Sequence, residues 1–186
     1  KLHIKDEAKE KQYESYGFLI EPEEELAARL GGRVYNPEVL NPKYTLAEQH
    51  DLMSVFQYMI GNTDWSVANG HNVKAIRSEE YKLPFCVPYD FDYAGIVNTN
   101  YAVPHESLAI EKVTERLFRG LCRGEKHYEK MVQPFIENKS VLYQVVDDCP
   151  YLIEKEVNSV KGYLDDFFAI IESEKGVKKQ MLVNCN

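Results

Sequence analysis

The 186-residue sequence predicts one α+β domain, mainly helical with short β-hairpins. Three observations carry that expectation. A segment from Thr45 to Ile60 repeats Leu52, Val55, Phe56, Met59 and Ile60 at helical spacing and ends at Gly61. Two short strand-like runs, Val73–Ile76 and Phe85–Tyr89, bracket a polar turn at 78–83. From Glu106 onward, apolar residues recur at i, i+3 and i+4, with breaks at Gly120, Gly124, Cys149-Pro150 and Gly176.

Taken in order, Leu2–Ile4 and Tyr16–Ile20 flank a charged stretch and read as two adjacent strands or a hairpin. A short helix follows over Glu21–Leu30: Pro22 sits near its first turn, acids fill that turn, Arg29 comes late, and Gly31-Gly32 stops it. Asn36-Pro37 and Asn41-Pro42 mark residues 33–44 as a loop. Thr45 and Glu48 have the spacing of a capping box, which opens the core helix ending at Ile60. Helices are expected near 106–119, 127–146 and 150–174.

Composition excludes several function classes. Apolar residues make up 44% of the chain, enough for a real core, and the mixed charge argues against disorder. The net charge is −8, and no Lys/Arg run exceeds the two residues Lys178-Lys179. A nucleic-acid surface needs clustered positive charge to release counterions, so no nucleic-acid partner is expected. Surplus carboxylates suit divalent cations instead. No stretch approaches the ~20 apolar residues of a membrane span. The chain opens on Lys1 and not on Met, as a processed or trimmed product would. Cys86, Cys122, Cys149 and Cys185 are widely spaced without zinc-ligand patterning, which leaves free thiols and disulfides equally open.

The chemistry-bearing residues fall in two segments. Asp64 follows the core helix in Gly61–Val73, a polar loop that reaches Asn72 just before a strand. Asp90 and Asp92 follow the partner strand. A short hairpin between the two segments would bring Asn72 and the acid pair to one end. Phosphoryl transfer uses such parts: an Asp to orient the acceptor hydroxyl, and an Asn and a second Asp to hold magnesium. Burying two acids beside Phe91 and Tyr93 is costly unless a cation offsets the charge. The plainer readings are a capping role for Asp64, a packing role for Trp65, a loop-propping role for His71, and surface charge or ion pairing for Arg116 and Arg119.

The order helix, Asp loop, Asn, hairpin and Asp-Phe resembles the catalytic and metal-binding loops of protein-kinase-like folds. Ile60–Asp64 with His71-Asn72 resembles the divergent HipA-type and CotH-type kinases, and Asp90-Phe91-Asp92 resembles the metal-binding Asp-Phe-Gly with its glycine replaced. The whole chain is also similar to a bacterial family common in Bacteroidetes that reads FQYMIGNTDWSV, HN and VPYDFDYAG, here Phe56–Val67, His71-Asn72 and Val87–Gly95. The resemblance implies a kinase-like C-lobe over 22–186, with 1–21 as the strand and hinge remnant of an N-lobe. It implies Asp64 as the catalytic residue, and Asn72, Asp90 and Asp92 as ligands of Mg or Mn. Asn69 is the rival of Asn72, because it lies at the ordinary kinase spacing from Asp64. Phe18, Ile20 and Glu21 would meet the base of ATP. The activity implied is phosphotransfer to an unknown hydroxyl acceptor, with an extracytoplasmic location favoured. No Gly-rich loop or phosphate-binding Lys–Glu pair precedes the hinge. That departure keeps a non-catalytic, pseudokinase-like binding module as one alternative, and a metal-dependent hydrolase using the same acids is another.

Overall fold

The computed structural model describes residues 1–15, 17, 19–123 and 125–182. Among the described residues the chain is mixed α+β, with six α-helices and two small antiparallel sheets. None of these helices is long and apolar enough to cross a membrane.

Strands β1 (Leu2–Asp6) and β2 (Lys11–Ser15) form a hairpin in which Ile4 pairs Tyr13 and Asp6 pairs Lys11. The second strand therefore lies inside the charged stretch, five residues earlier than the Tyr16–Ile20 run suggested; Tyr16 and Phe18 of that run lie outside the described residues. Glu14 explains the preference, since it ties to Lys1 at 2.6 Å and to His3 at 3.2 Å across the pair. Leu19 is 99% exposed and belongs to no strand. Helix α1 (Glu23–Arg29) forms where expected, with Glu23, Glu24 and Glu25 in the first turn and Arg29 in the last.

The region read as a loop contains β3 (Gly32–Val34), which joins β4 (Val73–Ser78) and β5 (Phe85–Pro88) in the order β3-β4-β5. Three residues opening on glycine carry too little alternation to announce a strand. One face of this sheet packs Ile76 and Phe85 on Leu26 and Ala27 of α1. The other packs Val73 and Cys86 against Trp65, Val67, Leu40 and Met53.

Helix α2 (Ala47–Ile60) runs behind that second face. Its N-terminus departs from the capping-box expectation. Leu46 is the N-cap, and the Thr45 hydroxyl donates instead to the Pro42 carbonyl of a 3-10 turn. Leu46 is drawn in by its N–H, which donates to the Pro84 carbonyl at 2.7 Å. The expected apolar stripe is also rotated. Leu52 is 43% exposed, whereas Asp51, Ser54 and Gln57 are buried.

Residues 106–119 are turns, not a helix. The helical half consists of α3 (Glu125–Glu137), α4 (Lys139–Asp147), α5 (Glu154–Ile171) and α6 (Glu174–Gln180). The expected segment at 127–146 is thus divided at Asn138. The break expected at Gly176 falls earlier, where Ser173 caps α6 by accepting from the Gly176 N–H. Tyr58 of α2 meets Phe167 of α5, while Phe135, Phe168, Val132 and Ile171 fill the space around them. Complete burial of each such side chain contributes about 1.5–3 kcal/mol, and this is the largest buried cluster among the described residues.

Cys86 and Cys149 are free thiols and Cys122 is disulfide-bonded. Burial pushes the Cys86 thiol up to about 11, so it is packing material and not a nucleophile.

Candidate functional site

The site begins where α2 stops. Gly61 takes φ 68°, and the N–H groups of Gly61 and Asn62 return to the carbonyls of Tyr58 and Gln57. A Cβ at Gly61 would fall against the Tyr163 hydroxyl, so glycine is required by space as well as by φ. Asn62, 1% exposed, then steers the chain. Its Nδ2 donates to Gln57 Oε1 at 3.0 Å, and its Oδ1 accepts from the Asp64 N–H at 2.9 Å.

Ser66 and His71 exchange two backbone hydrogen bonds of 2.9 Å, which fold residues 66–71 back on themselves. That reversal returns Asn72 to Asp64. Asn72 Nδ2 donates to the Asp64 carbonyl at 2.8 Å and to Asp64 Oδ2 at 3.0 Å. His71 Nε2 lies 3.0 Å from Asp64 Oδ1. Both carboxylate oxygens of Asp64 are therefore oriented by named neighbours. Asn69 sits exposed at the loop tip, its N–H donating to Ser66 Oγ, away from this contact. Asn72 is the asparagine that meets Asp64.

Strand pairing brings the second segment to the same end. Val73 pairs Pro88, and the Tyr89 N–H donates to the Asn72 carbonyl at 3.0 Å. Asp90 follows immediately, at φ 58°. Its carboxyl is raised above the ordinary aspartate range by burial first, then by the charge of Asp92 and, more weakly, of Asp64. Three acids thus share one region. Asp92 Oδ2 accepts from the Tyr101 hydroxyl at 3.1 Å, and its carbonyl accepts from Thr99. The N–H groups of Gly95 and Ile96 donate to the carbonyls of Gly61 and Ile60, locking the segment after the acids to the end of α2.

Among the described residues, no three His, Cys, Asp or Glu side chains gather closely enough to enclose a metal by themselves. The donor set nevertheless fits a hard cation. Both Nδ2 hydrogen bonds of Asn72 go to Asp64, which leaves Oδ1 as the acceptor atom of that side chain, and Asp90 carries charge that its acidic neighbours disfavour. Asp90 and Asn72 Oδ1 are oxygen donors of the type such a cation takes, and Asp92 lies within electrostatic reach of Asp90.

A concavity of about 570 Å³ lies along β5 and the start of α1, lined by Ile20, Pro22, Leu26, Lys74, Val87 and Tyr89 among others. Of the three residues expected to meet a nucleotide base, Ile20 is in this lining, 62% exposed. Glu21 lines it too, but its carboxylate is fastened to Arg29 by bonds of 2.9 and 2.7 Å, which leaves its backbone as the available group. Phe18 lies outside the described residues. Lys74 pairs with Glu23 and stands over the Tyr89 ring, 5.1 Å from its centroid.

Two arginines serve the site differently from the expected surface or acid-pairing roles. Arg116 donates to the carbonyls of Tyr58, Met59 and Tyr163, and stacks 3.7 Å from the Tyr163 ring centroid. Arg119 donates to the carbonyls of Thr63 and Trp65, on either side of Asp64. Arg116 therefore ties the last turn of α2 to α5, and Arg119 satisfies carbonyls of the loop that follows α2. The available signal was a helix closed by Gly61 followed later by unpaired arginines, but sequence does not say which carbonyls they reach. Trp65 packs beneath the loop, 5% exposed, as its size suggested.

Compared with known proteins, the chain matches no family model, no curated protein and no solved structure.

Proposed function

We propose that the chain is the C-terminal lobe of a protein-kinase-like phosphotransferase, which moves the γ-phosphoryl group of ATP to a hydroxyl acceptor with Mg or Mn. The observation that carries this reading is the grip of Asn72 on Asp64. One side chain fixes the carboxylate that would face the acceptor, and the backbone carbonyl of the same residue accepts from the Tyr89 N–H, one residue before Asp90.

Asp64 would orient the acceptor hydroxyl and receive its proton as the new oxygen–phosphorus bond forms and the bond to the leaving diphosphate breaks. His71 and Asn72 hold its two oxygens, so the carboxylate loses little freedom when an acceptor arrives. A cation bound by Asn72 Oδ1 and Asp90 would supply charge neutralisation at the phosphates. The base would lie along Val87 and Leu26, near the Ile20 backbone.

One observation favours a second reading, a pseudokinase-like binding module: Lys1 pairs with Glu14 and Lys5 with Glu7 within the first hairpin, so the ammonium groups of both are engaged there and not offered as a phosphate-binding lysine.

Thermal shift with ATP and Mn²⁺ on the full-length protein, combined with phosphate-release assays, tests the proposal. Wild type should gain stability only when both are added, and Asp90→Ala should lose that gain while keeping its fold. Asp64→Asn should keep the gain and lose turnover. Absence of a cation-dependent shift in the wild type contradicts both readings, whereas a shift without turnover supports the binding module.

A further inference from the structure

A second site is written into the far end of the central sheet. The β3–β4 register sets Arg33 directly opposite Arg77. Opposed residues on an antiparallel pair share a face, with Cβ atoms about 4.5–5.5 Å apart, and like charges so placed are destabilising. Among the described residues, neither guanidinium forms an ion pair or donates a hydrogen bond, and Arg77 Nε is buried without a partner. Arg77 is nonetheless held in place, since its guanidinium stacks 4.7 Å from the Tyr35 ring centroid. Both arginines line a concavity to which the β4–β5 turn adds Lys82, while Gly31 contributes no side chain. Glu79 is the one acid in the lining. Three basic groups against a single acid in one concavity run against the −8 balance of the chain.

We propose that this concavity binds a phosphate-type oxyanion, either free phosphate or a phosphate monoester. Planar guanidinium forks match the oxygens of such a group, and two forks with an ammonium suit a dianion better than a lone carboxylate. The bound anion would bridge Arg33 and Arg77 and turn a repulsive cross-strand pair into an attractive one. Arg77 lies five residues after Asn72 along an extended strand, roughly 17 Å away, so this site is separate from the Asp64 region and does not rest on the phosphotransferase reading.

Arginine Nε–H signals in ¹⁵N-labelled full-length protein provide the test, with titration by inorganic phosphate, O-phosphoserine, acetate and chloride at constant ionic strength. The Arg33 and Arg77 signals should move and saturate with phosphate or phosphoserine and stay still with acetate and chloride. Saturation by only one of the two phosphates identifies the free ion or the monoester as the ligand. Arg33→Gln, at an exposed position, should weaken phosphate binding by about tenfold or more and raise the melting temperature in phosphate-free buffer. Asp90→Ala should leave phosphate binding unchanged. Shifts that follow chloride equally, or undiminished phosphate binding by Arg33→Gln, overturn the proposal.

Discussion

Replacing Asp51 by asparagine removes a negative charge from the joint between α2 and the start of α3. Asp51 is fully buried, and its carboxylate accepts from Arg123 Nε at 2.8 Å and from His127 Nε2 at 2.5 Å, with His50 Nδ1 at 3.5 Å. An amide of the same shape keeps the packing but leaves Arg123 without a counter-charge, and one nitrogen of that guanidinium is already buried and unpaired. Breaking a buried pair costs about 3–5 kcal/mol. Arg123 and His127 keep 24% and 34% of their side chains in solvent, so screening lowers the expectation to about 2–4 kcal/mol. For a chain of this size that is a fall in melting temperature of roughly 4–16 °C. The pH dependence follows from the direction of the shift. Burial pushes the Asp51 carboxyl up, but hydrogen bonds from His50, His127 and Arg123 outweigh it and hold the carboxyl below the ordinary range. The stabilisation is therefore present above the unfolded aspartate value of about 4 and is lost as pH falls through the lower folded value. Urea unfolding of wild type and Asp51→Asn at pH 7, 5 and 3 measures both effects. The gap between them should be widest at neutral pH and shrink in acid. A neutral-pH difference under about 0.5 kcal/mol, within the range of ordinary surface substitutions, would refute the reasoning.

Two further substitutions probe the frame of the site. Arg116→Lys keeps the charge but cannot reach the carbonyls of Tyr58, Met59 and Tyr163 together, and should cost about 1–3 kcal/mol in urea unfolding through unsatisfied buried acceptors; an unchanged midpoint would mean that these three bonds do not hold α2 to α5. Gly61→Ala forces a side chain into φ 68° and against the Tyr163 hydroxyl, so it should cost more than the roughly 1 kcal/mol of left-handed strain alone. Tyr163→Phe in the Gly61→Ala background should recover part of that loss, and no recovery would mean that the clash is not its cause.

Much of the local structure was legible because local signals decide it. Glu23–Glu25, Arg29 and the following glycines define α1, Gly61 ends α2, and the Val73 and Phe85 runs pair across a turn as expected. The failures arise where distant partners decide. Ile110, Val113 and Leu117 carry helical spacing, yet Arg116 and Arg119 reach the end of α2 and the loop after it, and the segment follows those bonds into turns. Thr45 and Glu48 fit a capping box, but Leu46 is held by the Pro84 carbonyl across 38 positions of sequence. At the site, residue types and order placed Asp64, Asn72 and Asp90 together. The choice between Asn72 and Asn69 needed the backbone exchange of Ser66 with His71, which no spacing rule contains. The buried Asp51 cluster was invisible because its members lie 72 and 76 residues from their partner.

The most direct measurement is paramagnetic broadening by substoichiometric Mn²⁺ with ATP, followed on the side-chain amide of Asn72 and the backbone amide of Asp90. A cation shared by Asn72 Oδ1 and Asp90 should broaden these two signals first and leave Glu23–Glu25 sharp. Sharp Asn72 signals alongside broadening at the exposed acids of α1 would contradict the shared-cation site.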